Sequence, residues 1–187
     1  MNRIVRRAIP VYRNPLTATL MSGTRQHSTA RPPGNTRILS VRDAVRLRAR
    51  WRRQGLQVVF TNGVFDILHR GHIDLLARAR AAGDILIVGL NNDRSVRRLK
   101  GPGRPLNKQS DRATVLAALR SVDYVCYFGA DTPLRLIRLL QPDVLVKGAE
   151  YAVADIVGAP DVRSWGGRVL RVRMRRGHSS TRLIRGG

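Results

Sequence analysis

From Leu56 onward, short apolar runs of strand length alternate with stretches of helical periodicity. The runs are Gln57–Phe60, Asp84–Leu90, Asp123–Phe128, Asp143–Val146 and Arg168–Val172. Helical stretches are expected at about 70–82, 110–121, 132–140 and 178–185, with a further one near 152–164. Ahead of them, Ser40 followed by Asp43 and then Ala44, Val45, Leu47 and Trp51 reads as an N-capped amphipathic helix that ends near Gly55. Strand followed by helix, repeated, predicts an α/β protein with a five-stranded parallel sheet, right-handed crossovers and helices on both faces. In such a sheet ligands lie beyond the carboxyl ends of the strands, so residues that follow strands are the first candidates for chemistry.

Composition bounds this picture without changing it. A chain of 187 residues with 43% hydrophobic content holds one ordinary α/β domain with a real core. Residues 1–38 contain no Asp or Glu and end in Pro32, Pro33 and Gly34, which predicts a disordered basic extension before a domain over 39–187. A mitochondrial transit peptide shares that Arg-rich, acid-poor composition, but Pro10 and Pro15 break its apolar positions, and Met21 is an alternative start. The lone cysteine, Cys126, excludes an internal disulfide and a Cys-based metal site. No run approaches the roughly 18 apolar residues of a membrane span. A cytoplasmic protein is expected.

Charge says what kind of company the chain keeps. The net charge is +23, with 13 arginines against Asp43 alone in residues 1–55, and the excess continues through the rest of the chain. Nucleic acid, an anionic membrane surface and phosphorylated small molecules all fit that balance. Aromatic residues make up only 5%, too few to interleave with the basic ones for base stacking, so a nucleic-acid partner is not favoured.

Two segments concentrate the candidate chemistry. The first strand runs into Thr61-Asn62-Gly63-Val64-Phe65-Asp66-Ile67-Leu68-His69-Arg70-Gly71-His72, and a helix follows. Gly63 frees the backbone where a phosphate would approach, and Gly71 leaves no side chain between two imidazoles at the helix start. His69 and His72 share one face of a turn, so two donors sit at the positive end of a helix dipole. A metal site is the rival reading of His-x-x-His. It lacks the Glu that follows the first His in a zinc helix, and no Cys is near.

The second segment follows the last strand. Gly177, His178, Ser179, Ser180, Thr181 and Arg182 offer N–H groups, hydroxyls and a helix start to an anion, although an ordinary N-cap has the same composition.

The stretch from Gly63 to His72 resembles the signature of the cytidylyltransferase-like nucleotidyltransferase superfamily. That resemblance implies a Rossmann-like fold of the HIGH type, Mg²⁺ bridging the ATP phosphates, and attack on an α-phosphate with loss of pyrophosphate and no covalent intermediate. His69 and His72 would then stabilise the α-phosphate charge. The cytidylyltransferases place Arg-Thr-Glu before Gly-Ile-Ser-Thr-Thr, whereas this chain has Met174-Arg175-Arg176 before Gly177-His178-Ser179-Ser180-Thr181, a departure that turns attention from CTP to ATP. Residues 91–105 and 145–151, with Asp111-Arg112, Asp131-Thr132-Pro133 and Gly166-Gly167, are similar to the adenylyltransferase domain of the bifunctional heptose-phosphate kinase/adenylyltransferases. This likeness covers about residues 56–187.

The implied reaction moves AMP from ATP to D-glycero-β-D-manno-heptose 1-phosphate. His69, His72 and Lys147 are the catalytic candidates, Lys147 because it follows a buried strand. The nucleotide site comprises Thr61, Asn62, Gly63, Phe65, Gly71, His72, Gly177, Ser179, Ser180, Thr181 and Arg182. Asp66, Asn91, Asp93, Lys100, Arg104, Arg112 and Glu150 are the candidates for the sugar phosphate, the basic ones because two anions must be held together against their repulsion. Asp66 and Asp93 have turn-capping as an even alternative, and the basic residues have plain surface charge. No protein residue is assigned to a metal. A separate sugar kinase is expected to supply the substrate, and a homo-oligomer is compatible. Other acceptors, namely glycerol 3-phosphate, ethanolamine phosphate or FMN, and a non-enzymatic nucleic-acid-binding role remain as alternatives.

Overall fold

The structure is a computed structural model that describes residues 34–173. The extension expected over 1–38 lies outside the described residues as far as residue 33. The helix expected over 178–185 and the Gly177–Arg182 segment lie outside them too. Residues 34–38, assigned by the sequence to the extension, instead carry a 3-10 turn at Gly34–Arg37 and the first residue of a strand.

Among the described residues six strands, not five, form one wholly parallel sheet: β1 (Ile38–Leu39), β2 (Val58–Gly63), β3 (Ile85–Asn91), β4 (Tyr124–Phe128), β5 (Val144–Gly148) and β6 (Arg168–Val172). Their order is β1-β4-β3-β2-β5-β6. The additional strand, β1, has two residues, too few to show alternation, and it exists because Ile38 and Leu39 pair with Val125 and Cys126 at the sheet edge. The chain steps outward from β2 to β3 to β4 and then crosses to the other side of β2 for β5. That reversal puts the topological switch point, where a parallel sheet opens a crevice for ligands, between the carboxyl ends of β2 and β5.

Among the described residues six helices cover the sheet: α1 (Val41–Arg53), α2 (Arg70–Arg80), α3 (Asp93–Lys100), α4 (Gln109–Ala118), α5 (Leu134–Leu140) and α6 (Ala159–Ser164). α1 starts where expected, with Ser40 Oγ accepting the Asp43 N–H at 3.1 Å and donating back to the Asp43 carboxylate at 2.7 Å. The stretch near 152–164 divides into a 3-10 turn, Val153–Asp155, and α6. α3 is a helix for which the sequence reading assigned no helical stretch. Its first turn is capped by Asn92 Oδ1 on the Ser95 N–H at 2.9 Å, and four of its eight residues are basic, so the apolar periodicity reduces to Val96 and Leu99.

Alternate residues of the strands divide the core in two. Val59, Leu86, Val88, Val125, Val144 and Val146 pack with α2 and α4, while Val58, Phe60, Ile87, Cys126 and Leu145 pack with α1, α5 and α6. Helices therefore lie on both faces, as the pattern predicted.

Candidate active site

β2 extends three residues beyond its apolar run, so Thr61, Asn62 and Gly63 are strand residues that reach the switch point. Thr61 Oγ1 donates to the Val146 carbonyl of β5 at 3.0 Å, tying together the two strands between which the crevice opens. Lys147, in β5, lies with Nζ 3.5 Å from the Asn62 carbonyl. Asn62 Oδ1 is buried with no hydrogen-bond partner among the described residues, an acceptor left for a bound group.

After β2 the chain makes a tight turn at Phe65, which has a positive φ of 47°. The ring folds back over Gly63, where a Cβ would lie 2.9 Å from Phe65 Cε2, so Gly63 is required by close approach. The other side of this turn delivers the histidines. His69 is the N-cap residue of α2 with extended backbone, and the His72 N–H bonds its carbonyl at 2.9 Å. Their rings stack with centroids 3.8 Å apart, and the Phe65 ring lies 5.0 Å from His72. Gly71, between them, is buried.

Electrostatics follow from burial. Removal from water pushes the pKa of His72 down to about 4, the neighbouring His69 adds to the shift, and a hydrogen bond to the Ile67 backbone offsets part of it. His72 is therefore neutral at pH 7, with one ring N–H to donate and no positive charge. Lys147 is lowered to about 8 by burial, with Glu150 opposing the shift. It stays mostly protonated at neutral pH. Glu150 follows the turn after β5, and its carboxylate lies where a Cβ on Gly148 would stand. Among the described residues, Lys147 brings a positive charge to the carboxyl end of β5, and the start of α2 offers backbone N–H groups.

The acceptor-site candidates divide. Asp66, Asp93, Arg104 and Arg112 come together, but on one another. Asp66 accepts the Leu106 and Asn107 N–H groups at 2.9 Å and pairs with Arg104 at 3.0 Å. Arg112 pairs with Asp93 at 2.7 Å. Asn91 donates to Ser95 Oγ at 3.1 Å, and Lys100 is exposed at the end of α3. Asn107 and Gln109, which the sequence did not single out, complete the cluster. Asn107 Nδ2 donates to the Asp66 carbonyl at 2.8 Å, and Gln109 Oε1 accepts the Asp93 N–H at 3.1 Å. Only the shared polarity of residues 107–112 hinted at them. Gly177, Ser179, Ser180, Thr181 and Arg182 lie outside the described residues.

The parallel sheet reverses between β2 and β5, and the paired histidines stand at the adjoining helix start. The sequence model of the cytidylyltransferase-like family matches residues 60–186, and the chain belongs to that family. It is 52% identical over 152 residues to the bifunctional protein HldE of Paramagnetospirillum magneticum, covering 81% of this chain and 31% of that protein. With HldE of Gluconacetobacter diazotrophicus the identity is 58% over 151 residues, covering 81% and 31%. The chain thus spans about a third of the length of the curated relatives it matches. Among solved structures, a lipopolysaccharide core biosynthesis protein from Thermoplasma volcanium superposes with TM-score 0.53 at 26% identity, covering 65% of this chain and 98% of that one. A pantoate-beta-alanine ligase from Francisella tularensis shares the fold at 15% identity and TM-score 0.55, covering 79% and 75%. Among the described residues no helix is long and apolar enough to cross a membrane.

Proposed function

We propose that the chain transfers AMP from ATP to a sugar 1-phosphate, D-glycero-β-D-manno-heptose 1-phosphate being the acceptor. An oxygen of the acceptor phosphate attacks the α-phosphorus of ATP, the bond from that phosphorus to the bridging oxygen breaks, and pyrophosphate leaves. ADP-heptose is the product. His69 and His72 donate to the α-phosphate oxygens as charge builds on them, and Lys147 supplies the positive charge that lets two anions approach. The stacked histidine pair at the start of α2 carries this reading, because the largely desolvated, neutral His72 imidazole loses little water when the phosphate arrives. The similarity to the HldE proteins supports the sugar phosphate as acceptor.

Mg²⁺ fits this site as a passenger of the triphosphate. Among the described residues no group of three or more His, Cys, Asp or Glu side chains could hold a metal. Carried in on ATP, Mg²⁺ would keep several waters and take phosphate oxygens with few protein ligands. Asn62 Oδ1 is the hard oxygen at the switch point that would face its waters. Bound there, the ion would neutralise charge on the leaving pyrophosphate.

The test is a panel of ATP, CTP, GTP and UTP crossed with heptose 1-phosphate, glycerol 3-phosphate, ethanolamine phosphate and FMN on the full chain, reading pyrophosphate release. Release confined to ATP with the heptose phosphate is expected. Turnover with CTP or with a non-sugar acceptor alone would replace the proposal, and binding to DNA without any release would point to the non-enzymatic role.

A further inference from the structure

The charged cluster formed by the 104–107 loop and the starts of α3 and α4 makes little provision for a ligand. The Arg112 side chain is 1% exposed, and all three of its nitrogens are engaged. Nη1 donates to the Val64 carbonyl at 2.6 Å, Nε to the Asn107 carbonyl at 3.0 Å and Nη2 to Asp93 at 2.7 Å. Asp66, whose side chain is also 1% exposed, receives the Leu106 and Asn107 N–H groups, and Asn107 Nδ2 returns to the Asp66 carbonyl. The network is closed, and it grips residues 64 and 66 on either side of Phe65. Phe65 is the residue held at positive φ, and its ring rests against His72.

We infer that Arg112 is a positioning residue: it fixes the Val64–Asp66 turn and, through Phe65, the seating of His72, and it does not touch the sugar phosphate. Its planar fork serves three acceptors from one buried point, which a lysine cannot do. Positioning explains why so basic a side chain lies beneath the site instead of in it. Residues that hold a reacting group in place act on rate more than on binding.

The proposal has a readout that needs no turnover. In the wild-type full chain, ring titration of His72 by NMR, assigned among His27, His69, His72 and His178 with a His72→Gln variant, is expected near 4. Arg112→Lys keeps the charge and removes the fork. With Phe65 unseated, water reaches His72, and its titration is expected to rise towards the ordinary 6.5 while far-UV circular dichroism stays native. Phe65 and His69 both lie against the His72 ring, so Phe65→Leu should move the titration the same way, and His69→Gln should alter it independently of the turn. A folded Arg112→Lys variant with His72 still near 4 overturns the inference. Should Arg112→Lys not fold, the Arg112 Nε–H resonance of the wild type decides. It is expected to stay put at saturating sugar phosphate, and a large shift overturns the proposal.

The kinetic arm rests on the proposed reaction. There Arg112→Lys should lower kcat by about 10- to 100-fold with the KM for the sugar phosphate nearly unchanged. A raised KM at constant kcat would make Arg112 a substrate ligand instead. If no acceptor turns over in any variant, the reaction assignment fails, and the NMR titration still decides the role of Arg112.

Discussion

The two ends of the sheet are built by opposite rules. At the amino end, one device recurs three times: an aspartate just before a strand makes two reciprocal bonds to a single residue at the start of the neighbouring strand. Asp84 clamps Gln57, Asp123 clamps Leu86 and Asp143 clamps Val58, each carboxylate accepting an N–H at 2.7–2.8 Å while the aspartate's own N–H returns to that residue's carbonyl. Arginines then seal the clamps. Arg48 binds Asp143 and the carbonyls of Leu140 and Gln141, Arg80 binds Asp123, and Arg37 donates to the carbonyls of Ala117, Val122 and Asp123. At the carboxyl end, Asp66 and Asp93 are held by arginines, while Asn62 Oδ1, His72 and Lys147 are desolvated with their capacity incompletely used. Satisfaction at one end gives stability, and incomplete satisfaction at the other leaves interactions for a ligand to complete.

That contrast can be broken by experiment. The largest effect is expected from His72→Ala, which should lower kcat by roughly 10²–10³-fold, about 3–4 kcal/mol of transition-state stabilisation, with little change in the urea midpoint. A loss of stability with turnover intact would erase the distinction between the ends. Next comes Arg48→Ala, which takes one donor away from each of two carbonyls and a carboxylate. It should cost about 2–3 kcal/mol in urea unfolding while kcat is kept. A comparable fall in kcat would mean that the clamps reach the site.

A smaller effect is expected from pH. Lys147 loses its proton as pH rises through about 8, because burial has lowered its pKa from 10.5, so kcat/KM should fall by up to about tenfold per pH unit above that value. Lys147→Arg, which keeps its charge, should abolish that alkaline limb even if its rate at pH 7 is lower. A limb that persists belongs to another group. The smallest effect is Asp84→Ala, at the exposed clamp, with roughly 0.5–1 kcal/mol lost in urea unfolding and no kinetic change.

Much of both ends was legible in the chain. The aspartates mark the beginnings of the apolar runs at 84, 123 and 143, and the five longer strands follow those runs because a buried parallel strand must be apolar along its length. Gly63, His69, Gly71 and His72 could be placed at a strand-to-helix junction, since they are contiguous and local sequence sets that turn. α3 was illegible because four basic residues in eight hide its helical period, and β1 because two residues carry no period at all.

The sequence by itself determined the alternation of strand and helix and the family, for each of these is written in local patterns of side chains. Only the tertiary structure decided which of the charges is available. Asp66, Asp93, Arg104 and Arg112 look like ligands in a linear chain, and whether each faces a substrate or one another depends on contacts across about 20 to 50 residues. The same holds for His72 and Lys147, whose charge states are set by the water that packing removes rather than by their neighbours in sequence.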